Sequence, residues 1–135
     1  MKTLLFLFAL LVSSLLPANA QTKEEIQKVN HDSAKVYIVE MLAAITSNDP
    51  EKFSKNGTDR FKEVARGGFK DIVNLLQGSL KASHTLGCIG VLQQGESTVL
   101  LYKLSPDEGK DSLITLVIRN TKVVYFEAAD QIYSE

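Results

Sequence analysis

The stretch from Thr85 to Ala129 limits most strongly what this chain can become. It holds four runs rich in β-branched and aromatic residues, TLGCIGVLQQ, STVLLYKLS, SLITLVIRN and KVVYFEAA. They are separated by Gly95, by Pro106 to Gly109 and by Asn120-Thr121, all residues that favour turns. Gaps this short can join only antiparallel neighbours, because a parallel return needs a crossover of a dozen or more residues. The stretch therefore predicts a four-stranded meander. Everything between the leader and Thr85 has helical periodicity, so the expected fold is α+β: N-terminal helices packed on the concave face of a curved four-stranded antiparallel sheet.

Residues 1–20 carry Lys2, an apolar run from Leu4 to Leu16, and then Pro17-Ala18-Asn19-Ala20 with a small-x-small ending. This is the pattern of a cleaved signal peptide, and it predicts export to a periplasmic or extracellular compartment. The run is shorter than the roughly 20 residues that span a bilayer, so no membrane attachment is expected after cleavage after Ala20. Residues 21–135 then form a single domain. Its slightly negative charge and lack of basic runs exclude a nucleic-acid partner. Cys88 is the sole cysteine, which excludes an internal disulfide.

Residues 22–47 read as the first helix, with Ile26, Val29, Val36, Tyr37, Met41 and Ala44 on one stripe that also carries Asn30, Ser33 and Glu40. Asp49 and Pro50 mark a cap and first position for a short helix around Phe53. Thr58 is a cap for a third helix with Phe61 and Val64 inward, and Gly67-Gly68 is expected to separate it from a fourth with Phe69, Ile72, Val73, Leu76 and Leu80.

In the sheet, Leu100, Tyr102, Leu104, Ile114, Leu116, Ile118, Val124, Phe126 and Ala128 form the set expected to face the helices. The reverse face mixes Lys103, Thr115, Arg119 and Glu127 with Val99, Leu101, Leu113, Val117, Val123 and Tyr125. That much apolar surface points to a homodimer through the outer sheet face.

The run Ile45-Thr46-Ser47-Asn48-Asp49-Pro50-Glu51-Lys52-Phe53, within the order long helix, short helix, Gly-Gly break, helix and meander, resembles the nuclear-transport-factor-two-like (cystatin-like, cone-shaped α+β) superfamily. The resemblance covers roughly Thr22 to Ala129. It implies a helix-lined cone closed by the sheet, commonly a homodimer, on a scaffold shared by isomerases, dehydratases, hydrolases, ligand binders and assembly factors. The catalytic Asp, Tyr and His patterns of its enzymes do not map onto this chain, so the resemblance transfers no catalytic residue.

Among chemistry-bearing residues Glu40 stands out, since a carboxylate beside Val36, Tyr37 and Ala44 would be partly desolvated, as a general acid or base needs. Pairing with Lys103 or an arginine would equally account for it. Tyr37 and Tyr102 are its expected hydrogen-bonding neighbours. His31 is expected on the polar side of the first helix and His84 in a loop, with no ligand spacing for a metal around either. Cys88 is expected to be a small buried thiol. Gly87-Cys88-Ile89-Gly90 is a strand bend rather than a phosphate loop, and the triplet Asn56-Gly57-Thr58 is a chance match to the glycosylation pattern.

Two functions fit. The first is a non-catalytic exported domain that binds a small apolar ligand or a protein partner, without cofactor or metal, in a cone lined by Tyr37, Glu40, Met41, Leu100, Tyr102, Leu116 and Phe126. The alternative is a small lyase or isomerase with Glu40 as general acid or base.

Overall fold

Thr22 opens the first helix, α1 (Lys23–Thr46), with a capping box in which its hydroxyl accepts from the Glu25 amide and the Glu25 carboxylate accepts from the Thr22 amide. The computed structural model describes residues 21–130, so the expected signal peptide lies outside the described residues. The chain leaves α1 through Asn48 in the left-handed region (φ 55°). Asp49 then caps α2 (Pro50–Ser54) by accepting from the Lys52 amide, and Thr58 caps α3 (Asp59–Lys81) by accepting from the Phe61 amide.

The break expected at Gly67-Gly68 does not occur, and α3 runs unbroken through both glycines. Phe61, Ala65, Phe69, Val73, Leu76 and Leu80 form one continuous buried stripe. A helical glycine costs about 1 kcal/mol, less than the roughly 1.5–3 kcal/mol gained by burying a single large apolar side chain. With the helix continuous, the stripe centres on Phe61 and Ala65, and Val64, expected inward, is left 63% exposed.

The first helix also faces differently from its sequence stripe. Its buried residues are Asn30, Ala34, Ile38, Met41, Leu42, Ala44 and Ile45, whereas Val29 and Val36 are exposed. Apolar residues are spread around α1, so periodicity alone does not point its face. Ala34, fully buried, lets the helix come close to the sheet, and Asn30 finds hydrogen-bond partners there.

The strands are β1 (His84–Gln94), β2 (Ser97–Pro106), β3 (Ser112–Arg119) and β4 (Lys122–Asp130), an open antiparallel meander in chain order. The two-residue turn at Asn120-Thr121 has both residues at positive φ, the handedness that matches strand twist in a tight hairpin. The helices lie against one sheet face, α1 chiefly over β2 and β3 and α3 over β4 and β2. Leu100, Tyr102, Leu104, Ile114, Leu116 and Ile118 are buried there as their alternation requires.

On β4 the expected alternation slips. Val117 pairs with Tyr125 but Ile118 pairs with Val123, so Val124 is an extra bulged residue. Val123, expected outside, is therefore the buried one. The turn before α3 enforces this: the Val123 amide donates to the Asn56 carbonyl (2.9 Å) and the Thr58 amide donates to the Val123 carbonyl (3.0 Å). A second bulge places Ile89 of β1 between the paired Cys88 and Gly90.

Candidate functional site

The structure brings Met41, Leu100, Tyr102 and Leu116 together as packed core, none more than 4% exposed. None of the four lines the surface cavities that the described residues outline. Of the residues expected to line the cone, only Phe126 borders such a space. Tyr37 is half-buried and donates its hydroxyl to the Thr121 carbonyl at 2.6 Å. It thereby helps α1 hold the β3–β4 turn.

Glu40 is also half-buried, and its partner is neither Lys103 nor an arginine but the side-chain amide of Asn56, which donates at 2.7 Å. Lys103 pairs with Asp111 on the outer side of the sheet (3.2 Å). The Tyr37 hydroxyl is used at Thr121, and the buried Tyr102 hydroxyl has no hydrogen-bond partner among the described residues. The expected Glu40–tyrosine cluster is thus not assembled. What Glu40 does is fix the Asn56-Gly57-Thr58 turn, where the Asn56 amide and the Thr58 hydroxyl both already make structural hydrogen bonds. Burial pushes the Tyr102 hydroxyl up to about 12, with the facing Cys88 adding to the effect.

Cys88, expected to be buried, is exposed. Its side of β1 is the one that faces the helices on the other strands, but the helices bear on β2, β3 and β4 and leave that part of the edge open. His31 departs in the opposite sense. It is half-buried, with its Nε2 shielded from solvent, beside Val91 of β1. His84 begins β1 and places its Nδ1 2.8 Å from the Ala82 carbonyl. Among the described residues no group of His, Cys, Asp and Glu converges at metal-ligand geometry.

Among the cavities that the described residues outline, the largest lies elsewhere: a groove of about 690 Å³ between α3 and the β4 edge. That volume is within the ordinary range of small-ligand sites, roughly 300–1,000 Å³. Three phenylalanines make its floor. Phe53, 2% exposed, is the hub, with ring centroids 6.1 Å from Phe61 and 5.1 Å from Phe126, the latter edge to face. Val64, Gly68 and Ile72 form the α3 wall, and Val117, Val124 and Tyr125 form the sheet wall where the bulge turns the β4 edge. Arg60 and Arg119 contribute the charge. Tyr125 donates its hydroxyl to Glu127 (2.8 Å), which raises the Tyr125 pKa through that hydrogen bond first, then through desolvation and the carboxylate charge.

Gly57 shapes this groove, because a Cβ there would overlap the Phe61 ring. The sequence carries some of these residues in plain view, but the groove depends on α3 passing straight through Gly67-Gly68 and on the bulge at Val124. The absence of a side chain at Gly68, one turn beyond Val64 and Ala65 on a helix face, is the one local sign of a gap. No protein-family model matches the chain, and no curated protein aligns with it significantly.

Proposed function

We propose that this chain is an exported, non-catalytic binding domain that takes a small ligand, its apolar part lying in the groove between α3 and the β4 edge. The observation that carries the reading is the aromatic floor of Phe53, Phe61 and Phe126 beneath an open space of about 690 Å³. The leader pattern of residues 1–20 supports export. The order of elements, helices followed by an open meander, supports kinship with the nuclear-transport-factor-two-like superfamily.

The test uses the neutral fluorescent dye phenylnaphthylamine and a variant that fills the groove. Gly68 borders the groove and a Cβ there meets no atom within 4 Å, so Gly68→Trp is expected to fill part of the space. The parent domain is expected to enhance dye emission saturably, and Gly68→Trp to lose most of that response. A flat titration with the parent, or equal binding by both, would sink the reading.

A second copy on the outer sheet face is the second part of the proposal. Strand register places Leu92, Val99, Val117 and Tyr125 in one row across all four strands, and Leu92 and Tyr125 are each about half exposed. Lys122 lies on one side of that row and Glu127 on the other. A twofold axis along the row sets Lys122 of each copy opposite Glu127 of its mate, so the same patch complements itself.

A further inference from the structure

We infer that the ligand of the α3–β4 groove is a single-chain amphiphile with an anionic head, its chain over the phenylalanines and its head held by Arg60 and Arg119. This rests on the reading of the groove as a binding site and adds the chemistry of what it selects. The charged side chains among the described lining residues are both guanidinium groups, and no carboxylate lines the space. Among the described residues the sole ion pair is Lys103–Asp111, so no carboxylate among them lies within ion-pair distance of either arginine. The Glu127 carboxylate near this edge accepts from the Tyr125 hydroxyl.

Arg119 has one further constraint. Its Nε donates to the Ser97 hydroxyl at 2.9 Å, which anchors one edge of the guanidinium to the sheet. A planar fork of donors beside an apolar trough recognises an oxyanion, and charge-assisted contacts of this kind are stronger than neutral ones. A neutral apolar ligand would leave both cations without a partner and gain nothing from them. A cationic ligand would be repelled.

The experiment compares decanoate with decanol near neutral pH, both displacing phenylnaphthylamine from the parent domain, and repeats the pair with the double variant Arg60→Gln, Arg119→Gln. Decanoate is expected to bind about tenfold tighter than decanol, the size of effect charged hydrogen bonds give. The margin should shrink as salt is raised, because exposed charges are screened. The double variant should bring decanoate down to the affinity that the same variant shows for decanol. Equal affinities in the parent, with Gly68→Trp blocking both, would overturn the anionic head and keep the groove. Decanoate preference that survives in the double variant would overturn the arginine assignment. Displacement by neither molecule, in parent or variant, would overturn the groove itself.

Discussion

Asn30 is the residue on which the union of helix and sheet depends. Only 2% exposed, it donates to the Thr98 hydroxyl (3.0 Å) and toward the Ile118 carbonyl (3.4 Å), and accepts from the Thr121 amide (3.2 Å). Asn30→Ala takes the acceptor from the part-buried Thr121 amide and removes one of the two partners of the Thr98 hydroxyl, which keeps Gln93, and a polar group left unpaired costs about 1–3 kcal/mol. The expected loss is about 2–3 kcal/mol in a urea titration, against almost none for the exposed Val36→Ala on the same helix. Tyr102 gives a pH signature. Its folded pKa is raised from 10.0 to about 12 by burial, so folding favours the protonated form. That contribution is complete below pH 10 and drains away as pH rises toward 12, a loss of roughly 2–3 kcal/mol. Stability measured across this alkaline window should fall less steeply in Tyr102→Phe, and identical slopes would contradict the assignment.

At the level of elements, α3 carries a removable weakness. Gly67 is exposed on the helix, and a methyl group there meets no atom within 4 Å. Gly67→Ala should therefore stabilise the domain by about 0.5–1 kcal/mol, read as a higher melting temperature; a loss of stability would mean the helix is broken there after all. The strands were readable from sequence because turn residues separate the four β-rich runs, although the bulges at Ile89 and Val124 break the alternation within β1 and β4. The face of α1 was not, since Val29, Val36 and Val39 are as apolar as the residues that turn inward. Tertiary packing around Ala34 and Asn30 decides that choice. The groove was hidden for a related reason: Phe61, Val124 and Arg119 meet through a bulge imposed by the distant Asn56–Thr58 turn, and no local pattern records it. Glu40 is half-buried and bonded to Asn56, a partner sixteen residues along the chain that periodicity cannot supply.

For the molecule as a whole, the open question of surface falls on the outer side of the sheet. If a second copy covers the row of Leu92, Val99, Val117 and Tyr125, the domain should sediment as a dimer at high micromolar concentration. Val99→Lys, placing a charge in the middle of that row, should return it to a monomer. A parent domain that stays monomeric at that concentration would remove the pairing surface. Val117 and Tyr125 belong both to the row and to the groove wall, so a bound amphiphile is expected to shift the dimerisation constant.

Val124 is a spare residue in the sheet. Val123 already points inward and Tyr125 outward on either side of it, so excising Val124 would leave a regular ladder with each remaining side chain on its present face. The shortened chain should still fold and still bury Phe126, yet its fourth strand would lie straighter and the wall beside Phe61 would be lost. A single-residue deletion would in this way separate what the architecture needs from what recognition needs, with circular dichroism preserved and dye binding abolished.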